Sequence, residues 1–179
     1  GINEDIPETG TSLRANSLQK AQYIYDHTGG ADCFADDTGL EVEILGGAPG
    51  IYSARYAGSS KSFTANMDKL LREMDLQETE ASFAREFGID TVHATRRARF
   101  RTVVTLILNG EKHFFEGVME GRISRVKAGN GGFGYDPVFI ADEYPDRTVA
   151  ELDEETKNAI SHRGKALRAM AEFLNSQSA

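Results

Sequence analysis

Four short stretches of this chain carry residue types that could act on a phosphorylated ligand. Asp36-Asp37-Thr38-Gly39 sets two carboxylates beside a hydroxyl. Carboxylates so placed can hold Mg²⁺, which takes oxygen ligands and keeps several waters, and one of them can accept the proton of an attacking water. The segment also reads as an ordinary turn after a strand, since Asp, Thr and Gly are common turn residues. Gly129-Asn130-Gly131-Gly132-Phe133-Gly134-Tyr135-Asp136-Pro137 fits G-x-G-x-x-G. That fingerprint needs a strand before it and a helix after it. Here a turn and a strand follow, which rejects a dinucleotide fold. The stretch suits close backbone approach to a ligand with an aromatic ring for a base to stack on, or else a plain surface connection. Lys157, His162, Arg163 and Lys165 gather cationic side chains into a short run of an acidic protein. With Ser161 as N-cap, His162 and Arg163 fall in a first helical turn, against the preference of helix N-termini for anions. A bound phosphate or an electron-rich base edge would relieve that conflict; a solvated basic patch is the other reading. Glu8 and Lys20 taken singly are ordinary surface charges.

These residues need a frame. Residues 11–27 read as a helix capped by Thr11 or Ser12, with Leu13, Leu18, Ala21 and Ile24/Tyr25 inward and Gly29-Gly30 at its end. A short strand over 32–35 runs into the Asp36-Asp37 turn, and 40–44 alternates like a half-buried strand. A glycine-bearing loop covers 46–58. Residues 62–74 form a second helix, striped by Met67, Leu70, Leu71 and Met74. Residues 76–95 read as an exposed excursion. A strand over 99–108 meets Asn109-Gly110, a strong hairpin signal, with a return strand over 112–119 and a third over 122–126. A short strand covers 137–140. Residues 161–175 form an amphipathic helix with Ala166, Leu167, Met170, Ala171 and Leu174 inward. Interspersed helices and strands point to an α/β or α+β fold with a mixed sheet.

Composition narrows the function. The chain has 179 residues, 20 basic and 28 acidic, for a net charge of −8. That length suggests one domain over 1–179. Duplex nucleic acid binding calls for a basic face, so it is not expected, and no stretch is long and apolar enough to span a bilayer. The single cysteine, Cys33, rules out an internal disulfide and fits a reducing, cytoplasmic setting.

Taken together, Ala35-Asp36-Asp37-Thr38-Gly39-Leu40, the run Leu45-Gly46-Gly47-Ala48-Pro49-Gly50-Ile51-Tyr52-Ser53-Ala54-Arg55-Tyr56-Ala57-Gly58, then Gly132-Phe133-Gly134-Tyr135-Asp136-Pro137 and Ser161-His162-Arg163-Gly164-Lys165-Ala166 resemble the inosine triphosphate pyrophosphatases, the Ham1-like noncanonical purine NTP pyrophosphatases. The likeness spans nearly the whole chain. It implies a long mixed central sheet flanked by helices, split into two lobes around a cleft. It implies hydrolysis of ITP, dITP and XTP to the monophosphate and pyrophosphate with Mg²⁺, in a homodimer. Carried across residue by residue, Asp37 is the proton acceptor and a metal carboxylate, and Glu8 the second metal residue. Thr38 is a substrate hydroxyl and Lys20 faces phosphate. Phe133, Gly134, Tyr135 and Asp136 form the base loop, and Lys157, His162 and Arg163 supply further nucleotide contacts. Donors from His162 and Arg163 toward a 6-oxo group would oppose the amino group of adenine.

Two departures accompany the likeness. The family's first strand and its Ser/Thr-x-Asn-x-x-Lys phosphate loop are not found ahead of Gly1, and 76–95 is longer than the usual connection. The first leaves a second expectation open, a nucleotide-binding remnant with impaired catalysis. A Maf-like pyrophosphatase shares the reaction, but Ser161-His162-Arg163-Gly164-Lys165 argues against it.

Overall fold

The computed structural model describes residues 2–89 and 95–178. Helix α1 (Leu13–His27) starts where the Ser12 side chain accepts from the Ala15 amide, and it ends before Gly29, whose φ of 71° is left-handed. Its inward face is more polar than the stripe expected. Leu13, Asn16, Ser17 and Ala21 are buried, whereas Leu18, Ile24 and Tyr25 are only half-buried. Hydrogen bonding explains the exchange: Ser17 Oγ lies 2.7 Å from Thr105 Oγ1 in the sheet, and Asn16 Oδ1 accepts from the Gly10 amide. A buried polar side chain is tolerated when it is partnered in this way.

The sheet has five strands in the order β2-β1-β3-β4-β5. Strand β1 (Cys33–Val42) runs unbroken against β3 (Arg97–Leu108), from Cys33 opposite Ile107 to Val42 opposite Ala98. Asp36-Asp37-Thr38-Gly39 therefore lies in mid-strand, not on the expected turn. A continuous ladder of partners overrides the local turn preference of these residues. Strand β2 (Pro49–Gly50) pairs with β1 only at Leu40 and Glu41. Asn109 and Gly110, at φ 52° and 79°, make the predicted tight hairpin from β3 into β4 (Glu111–Ile123). Strand β4 is one piece where two were expected, and β5 (Phe139–Ala141) closes the sheet. The long sheet with flanking helices is as anticipated. All four pairings among the described residues are antiparallel, in place of the mixed directions read from sequence.

Helix α1 packs on one sheet face, against β1 and β3. The opposite face carries α2 (Phe63–Glu86) toward one end and α4 (His162–Gln177) toward the other, over two separate apolar clusters. Leu40, Phe100, Met119 and Phe139 belong to the first, with Leu70 and Met74 of α2. Val104, Leu106, Ala166 and Met170 form the second. Along β3 this face reads Phe100, Thr102, Val104, so a hydroxyl sits between the two apolar groups. Helix α2 runs well past Met74, because helix-forming residues continue through Glu86. Leu76, Phe83 and Phe87 are exposed on or just beyond this extension. Of the expected 76–95 excursion, residues 90–94 lie outside the described residues. A short α3 (Glu154–Ile160), capped by Asp153, precedes α4 and adds to the expected elements. On α4, Ala171 is exposed, and Phe173 packs inward instead. No helix among the described residues is long and apolar enough to cross a membrane.

Candidate active site

Strand alternation divides the chemistry between the two sheet faces. Asp37 points toward α1 and meets Lys20 (Nζ to Oδ1, 3.5 Å), which also binds Glu8 at 2.6 Å. One ammonium thus draws together two carboxylates from distant segments. Arg55 approaches Glu8 from the loop after β2, at 3.9 Å. That loop is braced by Asn66, which accepts from the Ala57 amide and donates to the Ala54 carbonyl. Asp37 Oδ2 is buried and has no hydrogen-bond partner among the described residues. Burial pushes the Asp37 carboxyl above its usual range; Lys20 pulls it down, Glu8 pushes it up again, and hydrogen bonding from Asn16 and Lys20 lowers it.

This donor set fits Mg²⁺, which is commonly bound by one or two carboxylates plus substrate phosphates. Two acids already share a cation, and an orphaned carboxylate oxygen is left over. Among the described residues there is no cluster of three or more acid, histidine or cysteine ligands.

On the other face Asp36 accepts from Arg163 Nε at 2.6 Å. Thr38 Oγ1 lies 2.8 Å from Thr102 Oγ1, which lies 2.6 Å from His162 Nδ1. The imidazole stacks on Phe100, with centroids 5.0 Å apart. Gly117 allows this approach: a Cβ there would overlap the His162 carbonyl and the Ala166 amide. Burial first, then the charge of Lys157, lowers the His162 imidazole to about 4; Lys165 and Arg163 add to this and Asp36 opposes it. His162 is therefore neutral at physiological pH. In the unfolded chain an imidazole takes its proton near pH ~6.5, so across the interval from there down to about 4 only the unfolded state gains a proton. Stability is expected to fall with pH through that interval. An NMR titration should find the His162 midpoint near the lower limit; a midpoint at the ordinary imidazole value would contradict this burial.

The base loop is held from within. Asp136 is buried, accepts from the Phe133 amide at 2.7 Å and pairs with Lys157 at 2.5 Å. Gly132, at φ 83°, passes so close to the Asp136 carboxylate that a Cβ would meet it at 2.5 Å. Gly134 is also left-handed and faces open space. Phe133 is 72% exposed and packs edge-on against Phe63. Tyr135, a member of the expected base loop, is 5% exposed, and its hydroxyl donates to the Ser53 carbonyl. It secures the loop to the glycine-rich segment 46–58, leaving Phe133 as the accessible ring. Lys157 lies on this base side beside His162, apart from the carboxylate clasp.

Thr102, Asn16 and Arg55 were not singled out from sequence. Asn16 stands four residues before Lys20, on the same face of a helix, and that spacing could have revealed it. A threonine in a strand is ordinary, so nothing in the sequence marked Thr102.

A profile of the Ham1 family matches residues 1–173. The dITP/XTP pyrophosphatase of Porphyromonas gingivalis is 47% identical over 174 residues, which are 97% of this chain and 81% of that protein. The enzyme of the same name from Flavobacterium psychrophilum is 46% identical over 173 residues, again 97% of this chain and 82% of the relative. Among solved structures, a HAM1 protein from Coxiella burnetii superposes with a TM-score of 0.84 at 36% identity, covering 97% of this chain and 81% of its own.

Proposed function

The chain belongs to the Ham1 family, and from that we propose that it hydrolyses noncanonical purine nucleoside triphosphates (ITP, dITP, XTP) to the monophosphate and pyrophosphate. The observation that carries the reading is the clasp of Glu8 and Asp37 on Lys20, with one buried Asp37 oxygen left unpartnered. Asp37 accepts a proton from the water that attacks the α-phosphorus. A new oxygen–phosphorus bond forms, the bridge from the α-phosphorus to the β-phosphate breaks, and pyrophosphate leaves with the bonding electrons. An upward-shifted carboxyl suits this task, since a general base works best with a pKa near the working pH. Lys20 offsets charge on the phosphates. When bound by Glu8 and Asp37, Mg²⁺ supplies Lewis-acid stabilisation of phosphate oxygens and balances the charge of substrate against an acidic protein.

Thr38 meets the substrate from the sheet face opposite Asp37, beside Thr102, and Phe133 stacks on the purine, with Gly134 giving the base room. The Asp136–Lys157 pair fixes that loop, while His162 and Arg163 face the 6-oxo edge. Binding without turnover is the weaker reading, because relatives bearing the enzyme's name extend over 97% of the chain. A cytoplasmic homodimer, cleansing the nucleotide pool, completes the proposal; elution as a monomer on size exclusion would remove the dimer from it. Pyrophosphate release should be fastest from ITP or XTP, slow from ATP and absent with EDTA. Equal rates on ITP and ATP would defeat the substrate assignment, and ITP bound without product would favour the remnant.

A further inference from the structure

We infer that Thr102 is a positioning residue for base selection: it joins Thr38 to His162 in a hydrogen-bonded chain that fixes the imidazole with its proton on Nε2. The inference rests on the proposed reaction, which selects the tautomer; the hydroxyl contacts themselves stand apart from it. Thr102 is fully buried, and its hydroxyl is the link common to both contacts, 2.8 Å to Thr38 Oγ1 and 2.6 Å to His162 Nδ1.

A hydroxyl has one proton to give and two lone pairs to receive, so Thr102 meets Nδ1 in one of two directions. If His162 donates from Nδ1, Thr102 accepts there and Nε2 is left as an acceptor. If Thr102 donates to Nδ1, its only proton is used, Thr38 must donate to it, and Nε2 carries the proton. The second direction is the one that recognises a 6-oxo purine, because a carbonyl needs a donor. The partner of one ring nitrogen sets the role of the other. His162 has the freedom to act this way because it is neutral, and an imidazolium would donate from both nitrogens regardless of Thr102. Nε2 has no hydrogen-bond partner among the described residues and is not sealed from solvent, so it is available to a ligand. Stacking on Phe100 holds the ring plane, and the carbonyl of His162 is pressed against Gly117. The ring is therefore fixed in place, and only its proton remains to be assigned.

Inosine and guanosine both present a 6-oxo group, and adenosine presents a 6-amino group. Thr102 should govern discrimination of ITP from ATP and leave discrimination of ITP from GTP untouched.

Two measurements test it on the full chain. The ¹⁵N shifts of wild-type His162 should show a pyridine-like Nδ1 and a pyrrole-like Nε2 at neutral pH; the reverse pattern overturns the inference, whatever the enzyme hydrolyses. Thr102→Val keeps the shape and removes the hydroxyl. It should lower the ITP-to-ATP ratio of kcat/KM about tenfold, the order expected for losing control of one buried polar contact, with the ITP-to-GTP ratio unchanged. Thr102→Ser should restore both the ratio and the ¹⁵N pattern. If Thr102→Val fails to fold, the wild-type shifts and the Ser variant still decide. A Val variant with an unaltered ITP-to-ATP ratio, or one that changes both ratios alike, refutes the role. A wild-type protein inactive on every triphosphate would sink the proposed reaction while leaving the ¹⁵N result to speak for the chain of hydroxyls.

Discussion

Replacing Asp37 with Asn is expected to lower pyrophosphate release from ITP by about 10²–10⁴-fold, the usual weight of a positioned general base, while leaving the fold no less stable. The two halves of this expectation have one cause. The Asp37 carboxyl is buried, one of its oxygens is unpartnered, and its pKa is held above the normal range. A carboxylic acid that ionises less readily when folded penalises the native state as pH rises, and the penalty is complete once pH has passed the folded value. The neutral amide removes it. Lys20 retains Glu8 at 2.6 Å, so the ammonium is not stranded. Steady-state kinetics and urea unfolding at pH 7 check both parts. Near-normal turnover would remove Asp37 from the reaction, and a lower unfolding midpoint would make it a structural residue. Sites that trade stability for activity behave in the way expected here.

Gly117→Ala should cost about 3 kcal/mol, at the upper end of overpacking penalties. The added carbon would overlap the His162 carbonyl and the Ala166 amide. Both are backbone atoms at the start of a helix, and neither can rotate aside as a side chain could. The helix must lift from β4, and His162 moves with it. Urea unfolding should show the lower midpoint, and the variant's ITP-to-ATP preference should shrink. Gly46→Ala provides the contrast. Gly46 is left-handed at φ 64°, but a Cβ added there would meet nothing within 4 Å, so only backbone strain applies, about 1 kcal/mol. Equal losses at the two positions would mean that the contact with α4 is unimportant.

Much of the scaffold was legible because it rests on short-range chemistry. Ser12, Ser62 and Ser161 cap three helices as their types suggest, and Asn109-Gly110 makes the hairpin. Asp36-Asp37-Thr38-Gly39 reads as a turn because its residues favour turns, while ten consecutive partners on β3 hold the strand extended. Strand β4 reads as two because Gly121 falls at the break between them. Gly117 and Gly121 are there to admit α4 and β5, an approach from distant segments that no local pattern records. Family likeness suggested the candidate site residues, and only the fold shows which face each one occupies. They also assign Tyr135 to the core, for an aromatic in a glycine loop gives no sign of whether its ring turns outward.

Because neighbours on β1 leave it on opposite sides, the strand acts as a partition between hydrolysis and inspection. A slip of one residue toward the carboxyl end would seat Asp36 over Lys20, so a carboxylate would still be present for water. The same slip would press Asp37 against Thr102 and offer Ala35 to Arg163. It would also turn the fully buried Leu40 and Val42 out of the core and carry Glu41 in, since a one-residue slip reverses every side chain of a strand. The doubled aspartate is therefore no safeguard: a slip the other way would set Thr38 over Lys20, and in either direction the register that aims the carboxylates is the one that fills the core.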